Sequence, residues 1–309
     1  MKYRRLGETG LDVSVLSFGA SSLGSVFRKV KEKEGINTVH RAFDGGINYF
    51  DVSPYYGLTK AETVLGKAME GMPRDQFILS TKAGRYGEND FDFSRQRIIQ
   101  SAEESLTRLQ TDYIDMMFLH DIEFANHAQI IQEGVPALQQ LKEEGKIRYF
   151  GVSGLPLTAF EKVLARTDLD VLLSYCHYSL NDTSLLNIVS LCDQRKVGLI
   201  NASPISMGLL NARPVAEWHP ADKEIISICK HAASFCATQG EDLAKLAIQF
   251  AVQNERIPTT LVSTASEENI TNNIKWIEEP INQDLLGSVL DILEPIHNKT
   301  WSSGKEEWR

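Results

Sequence analysis

The chain has 309 residues, 42% of them hydrophobic and 24% charged, with a formal net charge of −9. This composition supports one sizeable core, and the length suits a single α/β domain spanning residues 1–309. The acidic balance disfavours nucleic acid as a partner, and no apolar stretch is long enough to cross a bilayer.

In chain order, the first feature is a hairpin pattern. Residues 3–6 and 13–15 flank the turn-rich Gly7-Glu8-Thr9-Gly10. Arg28 to Lys33 is a short basic run that reads as a solvated loop entering a helix. Eight short apolar strands follow the hairpin, at 16–19, 47–50, 77–80, 113–119, 147–152, 171–174, 197–201 and 260–263. Amphipathic helices alternate with them. Ser94 is a sound N-cap for a helix carrying Ile98, Ile99, Ala102, Leu106 and Leu109. Ile130, Ile131, Val135, Leu138 and Leu141 make one face of another helix, which Gly145 ends. An extra helix at 285–293 and a tail close the chain. Eight βα units imply a parallel sheet covered by helices. An open doubly wound sheet is the alternative, but residues 18–24, Phe-Gly-Ala-Ser-Ser-Leu-Gly, do not fit its Gly-x-Gly-x-x-Gly turn. The expected fold is therefore an α/β, (β/α)8 TIM barrel with an N-terminal hairpin, a C-terminal extra helix and a tail.

Cys176, Cys192, Cys229 and Cys236 have neither metal-ligand nor disulfide-framework spacing. They read as reduced thiols, and no metal is expected. Met1-Lys2-Tyr3-Arg4-Arg5 leads into no signal-like apolar run, so a soluble, cytoplasmic protein is expected.

In a barrel the chemistry sits at the C-terminal ends of the strands. The second predicted strand leads to Asp51, with Tyr55 and Tyr56 in its loop. The third leads to Lys82 and the fourth to His120. Taken singly, such residues cap strands, meet solvent or satisfy backbone groups. At successive strand ends they form an acid–base set. A phenol titrates near ~10; a nearby ammonium favours its phenolate, and a carboxylate holds the ammonium. An imidazole can donate to a substrate oxygen or relay a proton. Moving a proton on and off an alcohol oxygen is the companion of hydride transfer to a nicotinamide.

The run Asn48-Tyr49-Phe50-Asp51-Val52-Ser53-Pro54-Tyr55-Tyr56-Gly57, followed by Glu62, resembles the aldo-keto reductase signature. Leu79-Ser80-Thr81-Lys82 and the run from Leu106 through Asp112-Tyr113-Ile114-Asp115 to Leu119-His120 resemble further family motifs. So do Gly151-Val152-Ser153, Ala202-Ser203-Pro204 and Gly208-Leu209. The resemblance implies the catalytic tetrad Asp51, Tyr56, Lys82 and His120, with Tyr55 lining the pocket. Residues 18–27, 53–57, 120–124, 173–178 and 300–304 are similar to a plant-type branch of the family. That branch oxidises the anomeric carbon of L-galactose to a lactone and prefers NAD; related enzymes act on L-fucose and similar sugars.

The resemblance also implies a cofactor surface. Ser153 would meet the carboxamide, and Ser203, Ile205, Ser206 and Met207 would lie near the pyrophosphate. Ser263, Thr264, Glu267, Asn269 and Asn273 would flank the last helix N-terminus, which favours anions. This chain departs from the family pattern at three positions: Gly154 replaces an Asn, Tyr175 a Gln and Ala202 a stacking Tyr, so Tyr175 or Tyr178 would fill the space beside the ring. Residues 261–273 contain no Lys or Arg and two carboxylates, Glu267 and Glu268. A 2′-phosphate needs charge-assisted partners, so NAD is the expected cofactor. A sugar pocket also needs polar partners and an apolar wall. Asp121 and Glu123 would supply acceptors, and Phe27, Tyr55 and Trp301 the wall. The expected partner is a small-molecule sugar, bound by a monomer or weak homo-oligomer. Two rival readings are an NADPH-dependent aldehyde reductase and a non-catalytic, redox-sensing subunit. The base-free loop opposes the first, and the intact tetrad opposes the second.

Overall fold

The alternation of apolar strands and amphipathic helices closes on itself in three dimensions. The computed structural model describes residues 1–26 and 28–308. The strands β3 (Leu16–Gly19), β4 (Tyr49–Asp51), β5 (Ile78–Ala83), β6 (Ile114–Leu119), β7 (Ile147–Gly154), β8 (Val171–Tyr175), β9 (Gly198–Ala202) and β10 (Thr259–Ser263) form a closed parallel barrel. β10 pairs with β3, and Val262 lies opposite Phe18. Before the barrel, β1 (Tyr3–Arg5) and β2 (Asp12–Ser14) make an antiparallel hairpin.

The hairpin plugs the floor of the barrel. Leu6 and Val13 share a buried cluster with inward-facing Tyr49, Met116, Phe118, Leu173, Ile200 and Leu261. The interior is thus filled from below by apolar side chains, and polar residues are left to the opposite end.

The helices are α1 (Glu32–Asp44), α2 (Lys60–Met69), α3 (Arg95–Leu109), the turn α4 (His127–Gln129), α5 (Val135–Glu143), α6 (Leu157–Leu164), α7 (Leu186–Arg195), α8 (Lys223–Thr238), α9 (Leu243–Gln253), α10 (Glu267–Trp276) and α11 (Gln283–Leu293). Ser94 caps α3 by accepting from the Arg97 N–H. Between α4 and α5 the backbone takes a π-helical turn at Ile130–Gly134. The wider turn rotates the helix face: Ile130, Val135, Leu138 and Leu141 are buried, and Ile131 is only partly so.

Several strands run further toward the mouth than their apolar stretches predict. β5 continues through Thr81, Lys82 and Ala83, and β7 through Ser153 and Gly154. Their polar ends are laddered as firmly as the apolar parts, with Lys82 opposite Phe118 and Ser153 opposite Leu173. The extra helix expected at 285–293 is α11. It packs with α8, an inserted helix between β9 and α9 that the strand–helix alternation does not announce. Ile225, Cys229, Leu285, Val289 and Leu293 make part of their shared core.

Candidate active site

Asp51, Lys82 and His120 end neighbouring strands and are all buried, at 4%, 1% and 4% exposure. The Lys82 ammonium donates to Asp51 Oδ2 at 2.5 Å and to the Val52 carbonyl at 2.9 Å. It also lies close enough to the Tyr56 oxygen to share a hydrogen bond. On its other side Asp51 accepts from Ser80 Oγ at 2.6 Å, and Ser80 in turn meets the Tyr49 hydroxyl at 2.9 Å. The Asp51–Ser80 contact follows from strand register, which sets those two residues side by side.

Tyr56 comes from the β4–α2 loop. Gly57, which follows it, takes φ +63°, and a Cβ there would stand 2.1 Å from the Gly24 carbonyl oxygen. The chain can pass only as glycine, and this close crossing seats Tyr56. Its ring stands edge-on to the His120 ring at 5.7 Å between centroids. Glu62, buried in α2, accepts from Thr81 and Arg108 at 2.6 Å each and so stitches α2 to β5 and α3.

The electrostatics differ from the sequence expectation in one respect. Burial pushes the Tyr56 phenol up to about 12, and the Lys82 ammonium offsets that rise only in part. Lys82 itself rests above its ordinary range: burial opposes its charge, but Asp51 and Tyr56 outweigh it. Burial lowers His120 to about 3, with Lys82 and Arg85 adding to the effect against Asp121. The ligand-free site therefore holds a neutral phenol, an ammonium and a neutral imidazole at neutral pH.

Tyr55 lines the same mouth, its ring 6.0 Å from His120. Asp121 is also there, buried, with Oδ2 3.6 Å from His120 Nε2. Arg85 pairs with Asp121 and lies 3.9 Å over the Tyr55 ring. Its Nε is buried and has no hydrogen-bond partner among the described residues. Sequence reading missed Arg85, Ser80 and Ser53; only the position of Arg85 three residues beyond Lys82, on the same strand end, could have flagged it. Phe27 lies outside the described residues.

Glu123 and Trp301 are placed differently from the sugar contacts expected of them. Glu123 is fully buried, its Oε1 accepting from the Leu155 N–H at 3.1 Å and the Ser303 hydroxyl at 2.8 Å. Burial and the nearby Asp121 push it up to about 8, so it is a neutral clasp on the tail rather than an open acceptor. Its Oε2 stands 2.4 Å from where a Cβ at Gly154 would be, and the Glu123 carbonyl 2.3 Å from where one at Gly304 would be. Gly154 thus makes room for this carboxyl. Trp301 packs its edge on His219 at 5.0 Å and joins the α8–α11 core, which anchors the tail.

The expected cofactor residues lie along the other half of the mouth. Ser153 is buried, its Oγ 3.5 Å from the Leu119 carbonyl. Tyr175 shares a hydrogen bond with Ser303. Tyr178, the other aromatic offered for the space beside the ring, instead accepts from the Asn201 side-chain amide at its backbone carbonyl and stacks on Phe250. The β9 loop is unusual in its backbone: Ser203, Ser206 and Met207 take φ values of 58°, 47° and 53°. Ser206 is fully buried, its hydroxyl turned to Ser179 and Asn181 and its backbone bonded to the Ser203 carbonyl and His219, whereas Ser203, Ile205 and Met207 are partly exposed. Ser263 accepts from Ser21 and Ser22. Thr264 accepts from the Ser266 N–H and Asn269, and Glu267 accepts from Asn37. Asn273 is buried on α10. Loop 261–273 supplies no base of its own, but Arg28 reaches it from the β3–α1 loop, 3.4 Å from the Ala265 carbonyl and paired with Glu34. Two surface clefts, one around Arg74, Leu109 and Tyr113 and one around Arg5, Lys196 and Arg256, do not include the tetrad.

Among the described residues no helix is long and apolar enough to cross a membrane. The sequence model described as the Aldo/keto reductase family matches residues 15–294. L-galactose dehydrogenase of Arabidopsis thaliana is 46% identical, with 98% of each chain covered. D-arabinose 1-dehydrogenase of Saccharomyces cerevisiae is 35% identical over 94% of each. Among solved structures, the holo form of aldo-keto reductase AKR11C1 from Bacillus halodurans superposes with a TM-score of 0.80 at 27% identity, covering 100% of this chain and 99% of that one.

Proposed function

The chain belongs to the aldo/keto reductase family, and from that premise we propose that it is an NAD-dependent aldose 1-dehydrogenase that oxidises C1 of an L-galactose-type sugar to the lactone. The observation that carries this reading is the buried run Asp51–Lys82–Tyr56 set against His120. The 46% identity to a plant L-galactose dehydrogenase supports the substrate class.

The donor set fits a nicotinamide dinucleotide. The N-terminus of α10, capped by Ser266, offers N–H groups to a pyrophosphate. The hydroxyl and amide groups of Thr264, Asn269 and Asn273 suit ribose and base edges. Glu267 and Glu268 disfavour a 2′-phosphate; of the cations that reach that loop, Arg28 is already paired with Glu34 and Arg41 donates to Thr271.

When bound, the nicotinamide supplies the hydride acceptor for the C1 hydrogen. Tyr56 acts as the phenolate: it receives the proton of the anomeric hydroxyl as C1 becomes a carbonyl, and is left as the neutral phenol. Lys82 stabilises the phenolate before that transfer, and Asp51 holds Lys82. His120, neutral, donates a hydrogen bond to the reacting oxygen. Arg85 and Asp121, a donor and an acceptor side by side at the mouth, suit neighbouring sugar hydroxyls.

Because the phenol of the ligand-free protein sits near 12, oxidation should accelerate as pH rises. The test is kcat/KM for L-galactose, L-fucose and D-galactose with NAD and NADP, beside an aromatic aldehyde with NADH and NADPH. L-sugars oxidised faster with NAD than with NADP is the expected result. Efficient aldehyde reduction by NADPH without sugar oxidation would overturn both substrate and cofactor.

A further inference from the structure

We infer that Ser53 is a positioning residue that locks His120 as the neutral tautomer with its proton on Nε2. Ser53 is fully buried, and its Oγ has two partners: the Tyr55 backbone N–H at 3.1 Å and His120 Nδ1 at 2.9 Å.

The Tyr55 N–H can only donate, so it occupies a lone pair of Oγ. A hydroxyl carries one hydrogen, and the acceptor in reach of it among the described residues is Nδ1. If Nδ1 carried the ring proton instead, it would take the second lone pair and strand the serine hydrogen in a buried site, which is costly. Ser53 therefore donates, Nδ1 accepts, and the single proton of the neutral ring sits on Nε2.

The surroundings of Nε2 agree. Asp121 Oδ2, an acceptor, is 3.6 Å away. Tyr56, edge-on to the same ring, shares the mouth that Nε2 faces. The imidazole is thereby prepared to donate to an oxygen bound beside Tyr56. The Tyr55 N–H that fixes the serine also belongs to the loop that carries Tyr56, so one hydroxyl ties the orientation of the imidazole to the position of the phenol.

This inference deepens the proposed reaction and rests on it for its kinetic consequence, but the tautomer can be read without any substrate. Nitrogen-15 NMR of the histidine-labelled, ligand-free protein, with His120 assigned by its loss in His120→Gln, should show Nε2 protonated and Nδ1 bare from mildly acid to mildly alkaline pH. His219 provides an internal reference of the same tautomer, since its Nδ1 accepts the Ala221 N–H and its Nε2 meets the Ser206 carbonyl. In Ser53→Ala the His120 signals should move toward a tautomer mixture. kcat/KM should fall about tenfold, the size expected of one buried hydrogen bond, while the affinity for NAD measured by fluorescence titration stays the same. Ser53→Thr, which keeps the hydroxyl, should restore both signals and rate. A wild-type ring protonated at Nδ1 would overturn the inference, as would Ser53→Ala with unchanged signals and rate. If the protein proves to reduce aldehydes instead, the NMR result stands and the rate is followed in that direction.

Discussion

The two halves of the barrel mouth are built on different principles. On the β4–β6 side, geometry is carried by side chains on laddered strands: Tyr49, Ser80, Asp51, Lys82 and Tyr56 form one continuous relay of polar contacts. On the β8–β10 side it is carried by backbone. Cys176, Ser203, Ser206 and Met207 sit in the left-handed region that L-residues avoid, held there by cross-loop bonds such as Ser206 to Asn181 and His219 to the Ser206 carbonyl. The first half fixes protonation states. The second shapes a rim of N–H and hydroxyl groups, and the tail is clasped between them by Glu123.

Substitutions that respect this division should separate chemistry from binding. Tyr56→Phe has the largest expected effect, a loss of turnover of roughly 10²–10⁴-fold, the usual worth of a positioned acid–base group. NAD affinity should be preserved, since the phenol belongs to the other half. Single-turnover rates beside equilibrium titration of the cofactor check this. If binding fell with turnover, the halves would not be independent.

Lys82→Met comes next. It leaves Asp51 buried without its cation, so stability should fall by roughly 3–5 kcal/mol in urea unfolding. It also removes the one group that lowers the Tyr56 phenol most directly, so the rising limb of the oxidation pH profile should move to higher pH in any residual activity. His120, already near 3, should contribute no ionisation in the neutral range of either enzyme. An unmoved limb in an active Lys82→Met would sink the electrostatic account.

The smallest effect is at the clasp. The Glu123 carboxyl titrates at about 8 in the folded chain against 4.5 ordinarily. Between those values the folded state binds the extra proton, so stability declines as pH rises through the window, by up to a few kcal/mol in all. Glu123→Gln keeps a neutral acceptor for Ser303 and should flatten that decline. Parallel Tm-versus-pH curves for the two proteins would mean that the carboxyl is already ionised in the fold.

The same division explains what the sequence made legible. Apolar alternation marks eight strands, and the polar residues just beyond the second, third and fourth of them are the ones the structure gathers. Their spacing along the chain is their chemistry. Ser80 and Ser53 escaped notice because a serine acquires its partner only through strand register or a loop crossing, and neither is written in local pattern. Glu123 looked like a sugar contact because proximity to His120 in sequence says nothing of a tail arriving from residue 303. Helix α8 was missed because it interrupts the alternation, and the π turn at Ile130–Gly134 because a 3.6-residue period cannot express it.

The floor plugged by the hairpin has a consequence for traffic. With Leu6 and Val13 sealing the lower end, the barrel is a blind well, and any two molecules that meet beside Tyr56 share one doorway. Whichever settles deeper must arrive first and depart last, so the order of entry and exit is set by architecture before affinity has any say.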